Sequence, residues 1–132
     1  MNAKLLLLVG LGSCVGGMLR YAVAATMRPA ATAQFPWHTL AVNVAGCFCI
    51  GLVFGFHDDG RMSAGWRLFL ATGVLGGFTT FSAFSMETVT LLKEKQTLSA
   101  LLYIMSSVIL GLLATYLAYH RLFLRQSSQH LF

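Results

Sequence analysis

The sequence predicts an all-α membrane protein made of four transmembrane helices. Hydrophobic residues make up 57% of the 132-residue chain and charged residues only 10%, whereas about a quarter of an average soluble domain is charged. The apolar residues also fall into four runs. Each is long enough to cross a bilayer core about 30 Å thick, which takes about 20 helical residues.

Short polar stretches separate the four runs, so residues 1–132 are expected to form one transmembrane domain. The first run contains Arg20 and has no charged leader beyond Lys4, so it is interpreted as a retained span and not as a signal peptide. The predicted spans are residues 4–27, 37–56, 66–92 and 98–122.

The formal net charge of +5 would favour a nucleic-acid partner in a soluble protein. Here the basic residues flank the spans and are assigned to lipid headgroups, so no nucleic-acid partner is expected. The side that holds both termini carries Lys4, Arg61, Arg67, Arg121 and Arg125, and the opposite side carries Arg28, Lys93 and Lys95. This bias is weak, and a weak bias permits insertion in both orientations.

The third run contains the segment "GGFTTFSAFS", Gly76 to Ser85. Gly76 and Gly77 predict a helix break in mid-span, because glycine readily adopts non-helical angles. Irregular backbone at membrane depth persists only where protein buries it or where it lines a cavity. Carbonyl oxygens freed by such a break can hold a small cation.

After the predicted break, two stripes run along the third span at three-residue spacing. Hydroxyl side chains donate hydrogen bonds to anions, and the rims of aromatic rings carry partial positive charge. Together they indicate a weakly binding anion path, and weak binding lets a conducted ion leave. A phenylalanine stripe is also typical of simple packing. The stripes are Thr79, Ser82 and Ser85, and Phe78, Phe81 and Phe84.

Few other polar groups lie inside the spans. Arg20 could extend to the membrane surface or draw anions into a vestibule. Asn43 could bond a neighbouring helix or contact an ion. Glu87 could cap a helix or pair with a basic group. Gly12 and Gly16, four residues apart, favour close helix packing in lipid.

Three blocks of the sequence resemble the CrcB/Fluc family of fluoride channels. "GSCVGGMLRY" resembles the family's first helix, "TLAVNVAGCFCIG" its second, and "GGFTTFSAFSMETVTLL" its broken third helix. The resemblance covers nearly the whole chain. Two positions depart from the family pattern: His38 stands where the family often has glycine, and Ala83 where it often has threonine.

The resemblance implies an antiparallel, dual-topology homodimer with two pores, in which a structural Na⁺ that is not transported lies at the dimer centre. It implies a vestibule residue, Arg20, and an acidic residue after the signature, Glu87. Backbone carbonyls of Gly76 and Thr79 are implied to hold the Na⁺. The implied pore residues are Phe81, Phe84, Asn43, Thr80, Ser82 and Tyr103, with help from Ser106 or Ser107.

On this basis the chain is expected to be a passive, fluoride-selective channel in the bacterial inner membrane that exports cytoplasmic fluoride. The sequence shows no catalytic constellation or phosphate-binding loop, so no enzyme activity is expected. One alternative is a small proton-coupled multidrug exporter, but such proteins need a carboxylate in the first span, and this chain has none there. Another is a non-transporting scaffold, which would need neither the break nor the hydroxyl stripe.

Overall fold

The computed structural model describes residues 2–27 and 35–129, with side chains up to residue 121. Four helical stretches in these ranges are long and apolar enough to cross a membrane, as predicted: Ala3–Thr26, Trp37–Asp58, Ala64–Lys93 and Thr97–Arg121. Arg28 and the side chain of Arg125, which entered the charge comparison, lie outside the described part of the chain.

The third span consists of several segments. The helices in chain order are α1 (Ala3–Thr26), α2 (Trp37–Asp58), α3 (Ala64–Arg67), a π-helical segment (Leu68–Leu75), α4 (Gly76–Phe78), α5 (Phe81–Lys93) and α6 (Thr97–Gln129). We refer to residues 64–78, which precede the interruption, as the first half of the third span. Helix α5 is the second half.

The predicted interruption of the third span is confirmed, and it lies at Thr79 and Thr80. Both residues have extended backbone, with φ −79° and ψ 156° at Thr79 and φ −148° and ψ 111° at Thr80. The expectation that the two glycines supply the non-helical angles is wrong. Gly76 has helical angles (φ −62°, ψ −35°), and both Gly76 and Gly77 lie within α4.

Gly77 serves instead to bring two helices together. A Cβ atom placed on it would lie 2.9 Å from the Ser13 Cα atom of α1, closer than real side chains approach. The same holds along α1: a Cβ on Gly12 would lie 2.7 Å from the Phe69 carbonyl oxygen, and one on Gly16 would overlap the Val74 carbonyl oxygen. Helix α1 therefore packs backbone to backbone on the first half of the third span.

Helix α2 packs mainly against α6. A Cβ on Gly51 would lie 2.5 Å from the Thr115 carbonyl oxygen, and the Thr115 hydroxyl donates to the Cys47 carbonyl at 2.8 Å. Because α5 also packs on α6, α6 links the second span to the second half of the third. The interruption at Thr79 and Thr80 therefore lies between two packed units.

The two tight turns end their helices in the same way. After α2, the N–H groups of Gly60 and Arg61 donate back to the carbonyls of His57 and Phe56, which is the Schellman arrangement. After α5, Lys95 takes the left-handed position with φ 61°. A side chain in this conformation is strained, so Lys95 is a position where glycine would fit better.

Candidate functional site

Asn43 of α2 holds the interruption of the third span in place. Its Nδ2 donates to the Thr80 carbonyl oxygen at 3.1 Å, and its Oδ1 accepts from the Thr80 N–H at 2.8 Å. One amide side chain thus satisfies both backbone groups of a residue that has left the helix. Of the two alternatives for Asn43, the structure shows the contact between helices, and contact with an ion stays a prediction.

The two threonines at the interruption cap the two helix ends that meet there. The Thr79 hydroxyl donates to the Leu75 carbonyl at 2.9 Å, at the end of the first half. The Thr80 hydroxyl accepts from the Ala83 N–H at 3.2 Å and so forms the N-cap of α5. Ser82 lies next to it, with the Ser82 and Thr80 hydroxyl oxygens 3.4 Å apart. Thr80 and Ser82 therefore present neighbouring hydroxyls at the start of α5.

The interruption leaves carbonyl oxygens at the end of the first half without their helical partners. In a continuous helix the Thr80 N–H would donate to the Gly76 carbonyl, but it donates to Asn43 instead. Gly76 is exposed in the single chain. Carbonyl oxygens of unwound helices are the ligands that coordinate Na⁺ in broken-helix transporters. The predicted pair, Gly76 and Thr79, is chemically suited to such an ion.

Three aromatic rings line up beside the interruption. The Phe81 and Phe84 ring centroids are 5.6 Å apart at 43°, and those of Phe84 and Tyr103 are 5.1 Å apart at 54°. Phe81 is 79% exposed, whereas Tyr103 is fully buried. The row therefore leads from the surface of the chain into its interior, and Phe81 is the exposed ring of the three.

A cavity of about 310 Å³ is bordered by the rings of Phe81 and Phe84 and also by Asn43, Thr79 and Thr80. Ser107 of α6 borders it as well, and its hydroxyl oxygen is buried with no hydrogen-bond partner among the described residues. The Ser106 hydroxyl differs, because it donates to the Leu102 carbonyl of its own helix at 2.6 Å. Of the two serines, Ser107 is the one with a free hydroxyl at the cavity.

Glu87 of α5 accepts hydrogen bonds from two hydroxyls, one on the second span and one on the fourth, and lies near a histidine of the second span. Its Oε1 accepts from the Thr39 hydroxyl at 2.7 Å and lies 3.4 Å from His38 Nε2. Its Oε2 accepts from the Tyr103 hydroxyl at 2.7 Å. Tyr103 was predicted as a pore residue, and the structure places its hydroxyl on Glu87. Direct contact between Tyr103 and an ion stays a prediction.

A second cavity, of about 320 Å³, lies between α1, α2 and α5. Arg20 borders it together with His38, Thr39 and Thr80. Thr80 borders both cavities, so the second cavity extends from Arg20 to the interruption. Arg20 thus shares a cavity with the site, and its role as a vestibule residue stays a prediction.

The sequence reasoning gave no role to Thr39, although the structure makes it a donor to Glu87. One signal was present: Thr39 precedes Asn43 by four residues, so both lie on the same face of α2. Each reaches the third span, Thr39 to the middle of α5 and Asn43 to the interruption. A polar pair at this spacing in an apolar helix marks the face that meets polar partners.

The fold and this site define a multi-pass integral membrane protein whose third span is interrupted beside a cavity of hydroxyl, amide and aromatic groups. The profile of the family described as "CrcB-like protein, Camphor Resistance (CrcB)" matches residues 7–119. The chain belongs to this family.

Curated relatives match over most of their length and share one name, "Fluoride-specific ion channel FluC". One from Thermus thermophilus is 48% identical over 90% of this chain and 94% of its own. One from Rhizobium meliloti is 50% identical over 84% of this chain and 90% of its own. One from Flavobacterium psychrophilum is 43% identical over 86% and 92%.

Proposed function

We propose that this chain forms a passive, fluoride-selective channel of the bacterial inner membrane, through which cytoplasmic fluoride leaves the cell. The observation that carries the proposal is the interruption at Thr79 and Thr80, held by Asn43 beside the exposed ring of Phe81. The names of the relatives supply the choice of fluoride, because the residue types alone do not distinguish fluoride from chloride.

The driving force follows from acid–base chemistry. Hydrogen fluoride crosses a membrane as a neutral acid and ionises in the more alkaline cytoplasm. The trapped anion then needs a conducting path, and the membrane potential, negative inside, moves it outward. No coupling ion is required for this direction of flow.

The proposed path runs from Arg20, through the cavity that reaches Thr80, to the ring rims of Phe81 and Phe84. The Ser82 and Ser107 hydroxyls lie beside these rings, on α5 and α6, and donate to the ion. Hydroxyl donors and ring rims carry no full positive charge, so they bind an anion weakly, and weak binding is what conduction requires.

We propose further that the working unit is an antiparallel, dual-topology homodimer. In a single chain Gly76 and Phe81 are exposed close to the interruption, in the middle of the third span. Irregular backbone at that depth must be covered by protein, because lipid offers no hydrogen bonds. The weak charge bias between the two sides supports insertion in both orientations.

A structural Na⁺ at the seam of this dimer is part of the proposal. One chain would offer the carbonyl oxygens of Gly76 and Thr79, and a second copy related by two-fold symmetry would double the set. The ion would supply positive charge between the two interrupted spans. Exchange of Na⁺ for a large organic cation should lower the melting temperature of the purified dimer and its fluoride flux, and an unchanged melting temperature would contradict the sodium site.

The function is tested by fluoride efflux from liposomes that contain the purified protein. Wild-type protein should release fluoride, and the double variant Phe81→Ile, Phe84→Ile should lose most of the flux. The matched control is Phe48→Ile, a change of the same kind on an exposed ring of α2 that does not border either cavity. Full flux in the double variant would discredit the pore assignment, and chloride release as fast as fluoride release would discredit selectivity.

The rival functions predict different results. A proton-coupled exporter would show transport that needs a proton gradient and a membrane carboxylate, and α1 contains no acidic residue. A scaffold would release no fluoride from liposomes at all.

A further inference from the structure

His38 borders the cavity that contains Arg20 and lies against the carboxylate of Glu87. The distance from His38 Nε2 to Glu87 Oε1 is 3.4 Å, and the two side chains are 30% and 24% exposed. His38 therefore contacts the cavity on one side and the Glu87 network on the other. The relation to the proposed path is direct, because the same cavity extends to Thr80.

The charges around this cavity nearly cancel when His38 is neutral. Arg20 contributes one positive charge from α1, and Glu87 one negative charge from α5. Tyr21 of α1 also borders the cavity, and Tyr103 of α6 reaches the network through Glu87, but neither phenol is charged at neutral pH. Protonation of His38 would leave the cavity with one net positive charge.

We propose that His38 is a positioning residue that makes anion access to the pathway depend on pH. A protonated ring pairs with Glu87 and offsets its negative charge, so that the attraction of anions by Arg20 is no longer opposed by the carboxylate. Histidine is the side chain that changes charge between pH 5 and 8. This inference rests on the proposed function, and it links greater anion access to acid surroundings, where more hydrogen fluoride enters the cell.

The two hydroxyls that donate to Glu87 allow a change of charge at His38 to affect anions in the cavity. Thr39 and Tyr103 both donate to the carboxylate, so the negative charge of Glu87 is held in one place beside the cavity. Because the Glu87 carboxylate is held in place, protonation of His38 changes the electric field in the cavity without displacing the carboxylate. The pH effect should therefore appear in the rate of anion access and not in the fold.

The test measures fluoride current through the purified protein in planar bilayers at fixed fluoride concentration, with the pH equal on both sides. Current excludes the leak of neutral hydrogen fluoride. Between pH 8 and about pH 5.5 the wild-type current should rise about two- to five-fold, the effect of one unit charge about 8 Å from the ion in a hydrated cavity. The variant His38→Gln should show a flat profile.

Two further variants keep the test decisive. His57→Gln changes a histidine at the other end of α2, where its Nδ1 lies 2.9 Å from the Met62 carbonyl oxygen, and it should keep the wild-type pH profile. His38→Lys places a permanent positive charge at the cavity and should give the acid-level current at every pH. His38→Lys also tests the role of His38 if His38→Gln does not fold.

The outcomes separate this inference from the function on which it rests. Absence of fluoride current in every protein would overturn the proposed channel. Fluoride current with a flat wild-type profile, or a pH response that persists in His38→Gln, would overturn the role of His38 alone.

Discussion

The substitution Asn43→Asp separates two roles that Asn43 can have at the interruption. Asparagine makes two hydrogen bonds to Thr80, at 3.1 and 2.8 Å. Aspartate keeps an oxygen to accept from the Thr80 N–H but loses the donor to the Thr80 carbonyl. A part-buried carbonyl left unsatisfied costs about 1–3 kcal/mol. Asn43→Ala leaves both Thr80 groups unsatisfied, whereas the second carboxylate oxygen of Asn43→Asp faces the Thr80 carbonyl oxygen, so both variants should be less stable than wild type.

Fluoride flux separates the two variants if Asn43 lines the path. A fixed negative charge about 6 Å from the ion, at an effective dielectric constant of about 20, adds about 3 kcal/mol of repulsion. Since about 1.4 kcal/mol is a factor of ten, flux should fall about 100-fold in Asn43→Asp. Asn43→Ala introduces no charge, so its flux should fall less.

Two assays on the same preparations give the comparison. Thermal unfolding in detergent measures stability, and both variants should melt below wild type. Fluoride efflux from liposomes at about pH 8, which favours the ionised carboxylate, ranks flux, with Asn43→Asp lowest. If Asn43→Asp conducts as well as Asn43→Ala or better, Asn43 only anchors the interruption and lies away from the path.

Three further tests, one of them with a matched control, address separate parts of the structure. Tyr103→Phe removes a donor from Glu87 and should lower the free energy of unfolding by about 1–3 kcal/mol; an unchanged melting temperature would show that the hydroxyl is not needed there. Gly16→Leu places a side chain against the Val74 carbonyl and should prevent folded protein from accumulating, whereas the control Gly10→Leu, which faces open space and borders neither cavity, should be tolerated. Lys95→Gly relieves a positive φ and should stabilise the protein by about 1 kcal/mol with unchanged flux.

The sequence predicted an interruption in the third span, and its position shows the limit of local reasoning. Two adjacent glycines suggest a break, but glycine also permits close packing of helices in lipid. Gly77 has the second role, against Ser13 of α1. The chain leaves the helix at Thr79 and Thr80 because Asn43, on another helix, satisfies the backbone of Thr80. A partner 37 residues away cannot be found from the spacing within the segment.

The hydrogen-bond partners of Glu87 could not be predicted from the sequence for the same reason. Thr39 and Tyr103 lie on α2 and α6, and only the packing of these helices against α5 brings the three together. By contrast, the contact between α1 and the third span could be expected from Gly12 and Gly16, because the spacing of small residues on one helix is a local property. The π-helical segment Leu68–Leu75 was not predicted, since a run of apolar residues gives the same pattern whether its helix is wound as α or π.

The hydrogen bonds around the interruption determine how many hydroxyl donors can face a conducted anion. Many hydroxyls near the site already donate within the chain, to Glu87 or to backbone carbonyls: Thr39, Thr79, Thr88, Tyr103 and Ser106. The Ser107 hydroxyl and the neighbouring pair on Thr80 and Ser82 remain. At any single point, a path with few free donors and with ring rims between them binds a small anion less strongly than its hydration shell does. In the proposed channel the ion is therefore held weakly at each point and can move on.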